Sequence, residues 1–180
     1  SLDIQQKNGD PSSVSSIFVN LARLKEDQNA LEEAETYFLN ALETDKSIYE
    51  GPHLYVVDDL NGLGSLAEKQ AQSEKALQYY QEALAMIEAG LGDQNRFAAQ
   101  TYIKLGRLLS QKQDQEGIFF LHKGLKVQET LNAEGSLQVA LTQRWLAEAW
   151  RQNGEKAKAD SLLQICAEAL KAKKGTDHPE

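Results

Sequence analysis

Apolar residues recur along this chain at intervals of three and four positions, which is the spacing of one face of an α-helix. The first such run contains Val14, Ile17, Phe18, Leu21 and Leu24, and similar runs follow between short polar breaks. The pattern predicts eight helices, over residues 13–27, 30–47, 53–70, 73–90, 96–112, 114–131, 136–152 and 155–174. Because only a few residues separate the two helices of each pair, we expect four antiparallel helical hairpins.

A leucine followed by a small residue returns once in every hairpin. These pairs are Leu21-Ala22, Leu63-Gly64, Leu105-Gly106 and Leu146-Ala147, at steps of 42, 42 and 41 residues. Each leucine is followed by a small, a bulky and a small residue: Ala34, Phe38 and Ala41, then Ala76, Tyr80 and Ala83, then Gly117, Leu121 and Gly124, then Ala159, Leu163 and Cys166. The distances are the same in three of the units, and the third unit keeps the pattern one residue early. An internal repeat of this length with two helices per repeat predicts an all-α fold, an α-solenoid of stacked hairpins.

The repeat also predicts how the chain is organised. Residues 14–180 form a repeat array with units of about 14–50, 51–94, 95–134 and 135–180, and residues 1–13 form an extension or the end of a preceding helix. We count the array as one domain because stacked repeats share a continuous core. Serine side chains are good helix N-caps, so Ser12-Ser13 and Ser73 are predicted to begin helices.

Composition excludes several classes of protein. Hydrophobic residues make up 41% and charged residues 26%, as in ordinary globular proteins, and the net charge of −8 disfavours binding to nucleic acid. No run approaches the roughly 20 apolar residues that span a bilayer. A cytoplasmic location is the default expectation, but the start at Ser1 leaves a removed signal peptide open. Cys166 occupies a recurring small position and is predicted to be buried.

The small and bulky positions around Leu63-Gly64, Ala76 and Tyr80 resemble tetratricopeptide repeats, although the unit is about eight residues longer than the common repeat of 34. That length, together with residues 91–98 and 175–179, resembles the long repeats of kinesin light chains and their linkers. The resemblance implies a right-handed superhelix of four hairpins, in which the first helix of each hairpin lines a concave groove that holds a peptide or a helix of a partner protein.

Outward positions on those first helices are therefore candidate groove residues. They are Asn20, Arg23, Asn61, Ser65, Lys69, Lys104, Arg107, Arg144 and Trp145. Asparagine pairs with peptide backbone and arginine with carboxylate, so this set predicts an acidic or C-terminal ligand. Trp145 is either an aromatic anchor of the groove or a packing residue, whereas Trp150 is predicted in the core. The competing interpretation is that these are scattered solvated charges.

Nothing in the sequence indicates catalysis. His53, His122 and His178 fall in different repeats without neighbouring ligands at metal-site spacing, so we expect no metal, and no phosphate-binding loop indicates a cofactor. The acidic pairs Glu32-Glu33 and Asp58-Asp59 are interpreted as solvated helix faces. The predicted function is a non-enzymatic scaffold for a protein or peptide partner. A peptide-sensing or ligand-sensing regulatory domain of a larger protein and a self-assembly module stay open as alternatives.

Overall fold

The structure is a computed structural model that describes residues 11–131 and 137–176. Within those ranges it contains eight α-helices, in agreement with the spacing of apolar residues. They are α1 (Pro11–Asp27), α2 (Leu31–Ile48), α3 (Leu54–Lys69), α4 (Ser73–Met86), α5 (Arg96–Gln111), α6 (Glu116–Leu131), α7 (Leu137–Gln152) and α8 (Lys156–Thr176). Parts of two regions singled out in the sequence, residues 1–10 of the N-terminal extension and the Asp177-His178-Pro179 segment, lie outside the described residues.

The chain divides into two compact parts, Ser1–Gly92 and Asp93–Glu180, which we call the first half and the second half. Each half contains two hairpins. The turn inside every hairpin places one residue in the left-handed region: Asn29, Ala71 and Gln113 have φ near 60°, and Gly154 has φ 82°. Glycine adopts this conformation at little cost, whereas Asn29, Ala71 and Gln113 adopt it with mild backbone strain.

Small residues form the contact seam inside each hairpin. Ala22, Ala34 and Ala41 are completely buried in the first hairpin, and Phe38 is 3% exposed beside them. The third hairpin has glycine in this seam because its backbones approach more closely. A β-carbon on Gly106 would lie 2.6 Å from the Leu121 backbone nitrogen, and one on Gly117 would lie 2.7 Å from the Gly106 oxygen. The glycines of this repeat are therefore required by its packing.

The helix caps differ from the prediction at three serines. Ser12 and Ser13 lie inside α1, which begins at Pro11. Ser73 is the first residue of α4, as predicted for the start of that helix, but the N-cap is Gln72. Proline suits the first turn because that turn leaves its amide groups without helical partners. The actual caps of α3 and α5 are polar side chains: His53 Nδ1 accepts from the Tyr55 amide at 3.3 Å, and Asn95 Oδ1 accepts from two amides.

The end of α4 also differs from the prediction, which extended this helix to residue 90. Regular helix stops at Met86, and a π-helical turn follows over Ile87–Leu91. Gly90, at φ 140°, breaks the helical geometry there. The prediction of a buried cysteine is confirmed, since Cys166 is buried. None of the helices, as far as the chain is described, is long and apolar enough to cross a membrane.

Candidate functional site

Two helix faces in the second half enclose a cavity of about 310 Å³. Its lining residues come mainly from α5 and α7, at positions one or two turns apart along each helix: Gln100, Ile103, Lys104 and Arg107, then Gln138, Leu141, Thr142 and Trp145, with Gln128 from α6. Residues at these spacings share one face of a helix. The apolar stripes that bury each helix therefore also fix which polar side chains face the cavity.

This cavity combines positive charge with an aromatic wall. Among the described residues that line it, the charged ones are Lys104 and Arg107. The Arg107 guanidinium lies 5.5 Å from the ring centroid of Trp145, within the range of a cation–π interaction. Thr142 donates to Gln128 Oε1 at 2.8 Å and so helps to fix that amide. The cavity thus offers cations, amides and an apolar surface together.

Trp145 has the two environments that the sequence left as alternatives. It is half-buried, packs against the apolar cluster of the second half and also lines the cavity. Trp150 packs against the same cluster, as predicted. Arg144 is exposed and does not line this cavity. Ile103, at 6% exposure, contributes an apolar wall.

The candidate residues of the first half do not form a basic surface. The Arg23 guanidinium lies 3.5 Å from Asp58, and the Lys69 ammonium lies 2.8 Å from Glu26, so each cation is paired with a carboxylate. Asn20 is exposed, and Ser65 donates to the Asn61 carbonyl oxygen at 2.9 Å. Asn61 is 2% exposed, and the prediction of an outward side chain is wrong for it. Asn61 follows Leu60 and precedes Leu63, both buried, in a helix that buries more than one face.

A second cavity, of about 180 Å³, lies in the first half and is lined by two buried carboxyl groups, of which Asp59 was interpreted as solvated. Asp45 and Asp59 are each 2% exposed and line this cavity. The interpretation of Asp58-Asp59 as a solvated pair is therefore wrong for Asp59. Helical spacing could have shown that Asp45 is buried, because it follows the buried Ala41 by four positions on the apolar face of α2.

Burial and proximity change the acidity of these two carboxyl groups. Burial, the charge of Asp45 and the hydrogen bond between the two groups together raise the pKa of Asp59 from 3.8 to about 8. Burial also raises the pKa of Asp45, and hydrogen bonds from Ser15 and Asp59 oppose part of that rise. Near neutral pH the pair therefore holds a proton on Asp59.

Metal-binding clusters are not present in the described part of the chain. Across residues 11–131 and 137–176, no three His, Cys, Asp or Glu side chains come together in an arrangement that could hold a metal ion. His53 serves as a helix cap and stacks on Tyr49, with ring centroids 3.5 Å apart. His122 is exposed, and His178 lies outside the described residues.

Known proteins support the repeat architecture. Residues 13–89 match the model of the tetratricopeptide repeat family. No curated protein matches the sequence. Among solved structures, BtubC (BKLC) from P. vanneervenii aligns with a TM-score of 0.80 at 20% identity, over 99% of this chain and 80% of that one. Kinesin light chain TPR-like repeats from Podosopora anserina align at 0.70 and 19% identity, over 96% and 83% of the two chains.

The protein MamA also aligns, with a TM-score of 0.65 at 14% identity, over 96% of this chain and 86% of that one. At these identities the structural likeness concerns the fold. It confirms the α-solenoid class predicted from the repeat. Residues 13–89 therefore carry the sequence pattern of the tetratricopeptide repeat, and the fold of the chain is similar to that of the long repeats of kinesin light chains.

Proposed function

We propose that this chain is a non-enzymatic interaction scaffold and that the cavity between α5 and α7 binds an acidic peptide segment of a partner protein. The observation that carries the proposal is the meeting of Lys104, Arg107 and Trp145 in one cavity. These residues lie in a chain with a net charge of −8, so the local charge is opposite to the global one. Such a patch selects for acidic ligands.

The cavity matches the chemistry of a peptide in three ways. Arginine forks onto a carboxylate and lysine supplies a second positive charge. Gln100, Gln128 and Gln138 carry amide groups that both donate to and accept from peptide backbone. Trp145, held from behind by the apolar core, presents a rigid surface for one apolar side chain of the ligand. We therefore expect acidic residues next to an apolar anchor.

Panning a random peptide library against the full chain tests the proposal. We expect enrichment of peptides in which Asp or Glu stands beside an apolar residue. The double variant Lys104→Glu with Arg107→Glu should abolish capture of those peptides. The matched control is Lys126→Glu with Lys156→Glu, since both lysines are exposed in the same half and the charge change is identical.

Two outcomes would contradict the proposal. One is enrichment of peptides without acidic residues, and the other is equal capture by the double variant and the parent. Circular dichroism of every variant shows whether the fold is retained. Light scattering of the parent across a concentration series addresses the self-assembly alternative, which requires oligomers that grow with concentration.

A further inference from the structure

The cavity of the first half has a base of two carboxyl groups and a wall from three helices. Asp45 comes from α2, Asp59 from α3, and Ser16 and Asn20 from α1, while Tyr55 stands at the rim with half of its surface exposed. The Arg23 and Asp58 ion pair also lines it. All of the described residues that line this cavity belong to the first half.

The carboxyl pair contains buried acceptor atoms that the described residues around it do not use. Asp59 and Asp45 bond to each other, and Ser15 bonds to Asp45. The remaining oxygens, Asp45 Oδ1 and Asp59 Oδ2, have no hydrogen-bond partner among the residues that the structure describes. Both residues are only 2% exposed, and both line the cavity. Buried carboxylate oxygens are stabilised by donors, so the cavity fits a ligand rich in hydrogen-bond donors.

Charge and geometry narrow the ligand to a compact cation. An anion would meet Asp45, Asp58 and Asp59 together. Calcium and magnesium prefer about six or more oxygen ligands in a defined shell, and the described residues offer no such cluster here. A primary ammonium group is compact and has three donors without an acceptor. The half-exposed Tyr55 side chain offers contact for the alkyl stem that carries such a group.

We propose that this cavity binds a primary ammonium group, in the form of a lysine side chain or a free alkylamine, with Asp45 and Asp59 as its acceptors and Tyr55 against its stem. The bound cation favours ionisation of both carboxyl groups, so the proton held by the pair leaves when the ammonium enters. The other ionisable side chains around the pair are Arg23 on α1, Asp58 on α3 and His53 before α3. Arg23 already pairs with Asp58, so the base of the cavity stays anionic.

Calorimetric titration of the full chain tests this site with three probes: N-acetyl-lysine methylamide, its uncharged norleucine analogue, and n-butylamine. We expect the lysine derivative to bind at pH 7 and the norleucine analogue to bind at least tenfold more weakly. Titration in two buffers of different ionisation enthalpy should show the release of close to one proton per bound lysine derivative. Equal binding of n-butylamine identifies a free amine as a sufficient ligand, whereas weaker binding identifies the lysine side chain.

The variant Asp59→Asn separates this site from a merely structural role. Asparagine keeps a neutral hydrogen-bonding group beside Asp45 but cannot ionise, so the variant is expected to fold and to lose at least tenfold in affinity together with the proton release. Asp27→Asn is the control, because Asp27 is an exposed residue of the same half. Equal affinity of the lysine and norleucine probes, the absence of binding by the lysine derivative, or unchanged binding by Asp59→Asn would overturn the proposal.

Discussion

Replacing Asp59 with asparagine should make the stability of this protein less dependent on pH. The folded chain holds the Asp59 proton up to a pKa of about 8, whereas the unfolded chain releases it near 3.8. Between these values the folded state binds one more proton than the unfolded state. The free energy of unfolding therefore falls as the pH rises through this window, and the stabilisation is fully present only below the unfolded value.

The size of the effect follows from the shift in pKa. One pH unit within the window corresponds to about 1.4 kcal/mol, so this group lowers the stability by about 3 kcal/mol between pH 5 and pH 7. Asp59 is 2% exposed, so solvent screening reduces the effect little. An asparagine side chain at this position would have no proton to lose and would relieve the repulsion of Asp45. The variant Asp59→Asn should match the parent near pH 5 and exceed it by up to about 3 kcal/mol at pH 7.

Urea unfolding of both proteins at pH 5, 6 and 7 measures this difference. Circular dichroism follows the helices of both halves, whereas tryptophan fluorescence follows the second half, which contains Trp145 and Trp150. The control Asp27→Asn removes the same charge from an exposed position and should keep the slope of the parent. Parallel dependence on pH in the parent and in Asp59→Asn would refute a buried, protonated Asp59.

Three further substitutions test the packing. Gly106→Ala should destabilise the protein by about 1–3 kcal/mol in urea unfolding, because its β-carbon would lie 2.6 Å from the Leu121 nitrogen; an unchanged midpoint would contradict this close approach. Tyr80→Phe should cost about 1–2 kcal/mol, because the hydroxyl donates to Glu68 Oε1 at 2.5 Å, and a neutral effect would exclude a contribution from that bond. Ala71→Gly should raise the stability by about 0.5–1 kcal/mol by relieving the left-handed backbone at φ 58°; a lower melting temperature would argue against strain in that turn.

The fold could be predicted from the sequence because the determining signals are local and repeated. Apolar spacing located eight helices to within a few residues, apart from the end of α4, and the recurring small residues located the seams. The early end of α4 comes from the conformation of Gly90, which adjacent residues do not reveal. The predicted serine caps were wrong because α1 begins at Pro11, before both serines, and because Gln72, directly before Ser73, is the N-cap of α4.

The sites could be predicted only in part because they depend on which helices meet. The repeat register predicted Lys104, Arg107 and Trp145 on outward faces of their helices, and the three residues line one cavity; their role in binding stays a prediction. Asp59 was missed because two adjacent acidic residues on a helix look alike in sequence. In the structure Asp58 pairs with Arg23, whereas Asp59 is buried. Asp59 bonds to Asp45 of α2, which in turn bonds to Ser15 of α1, and contacts between different helices are not visible in the sequence.

The glycine seam of the third hairpin limits which amino-acid substitutions this repeat can accept during evolution. An alanine seam, such as that of the first hairpin, can accept serine or glycine while neighbouring side chains adjust. Gly106 and Gly117 face backbone atoms, which cannot move aside for an added methyl group as a flexible side chain can. We therefore expect the four repeats of this chain to differ in their freedom to vary, with the third hairpin admitting the fewest substitutions at its seam.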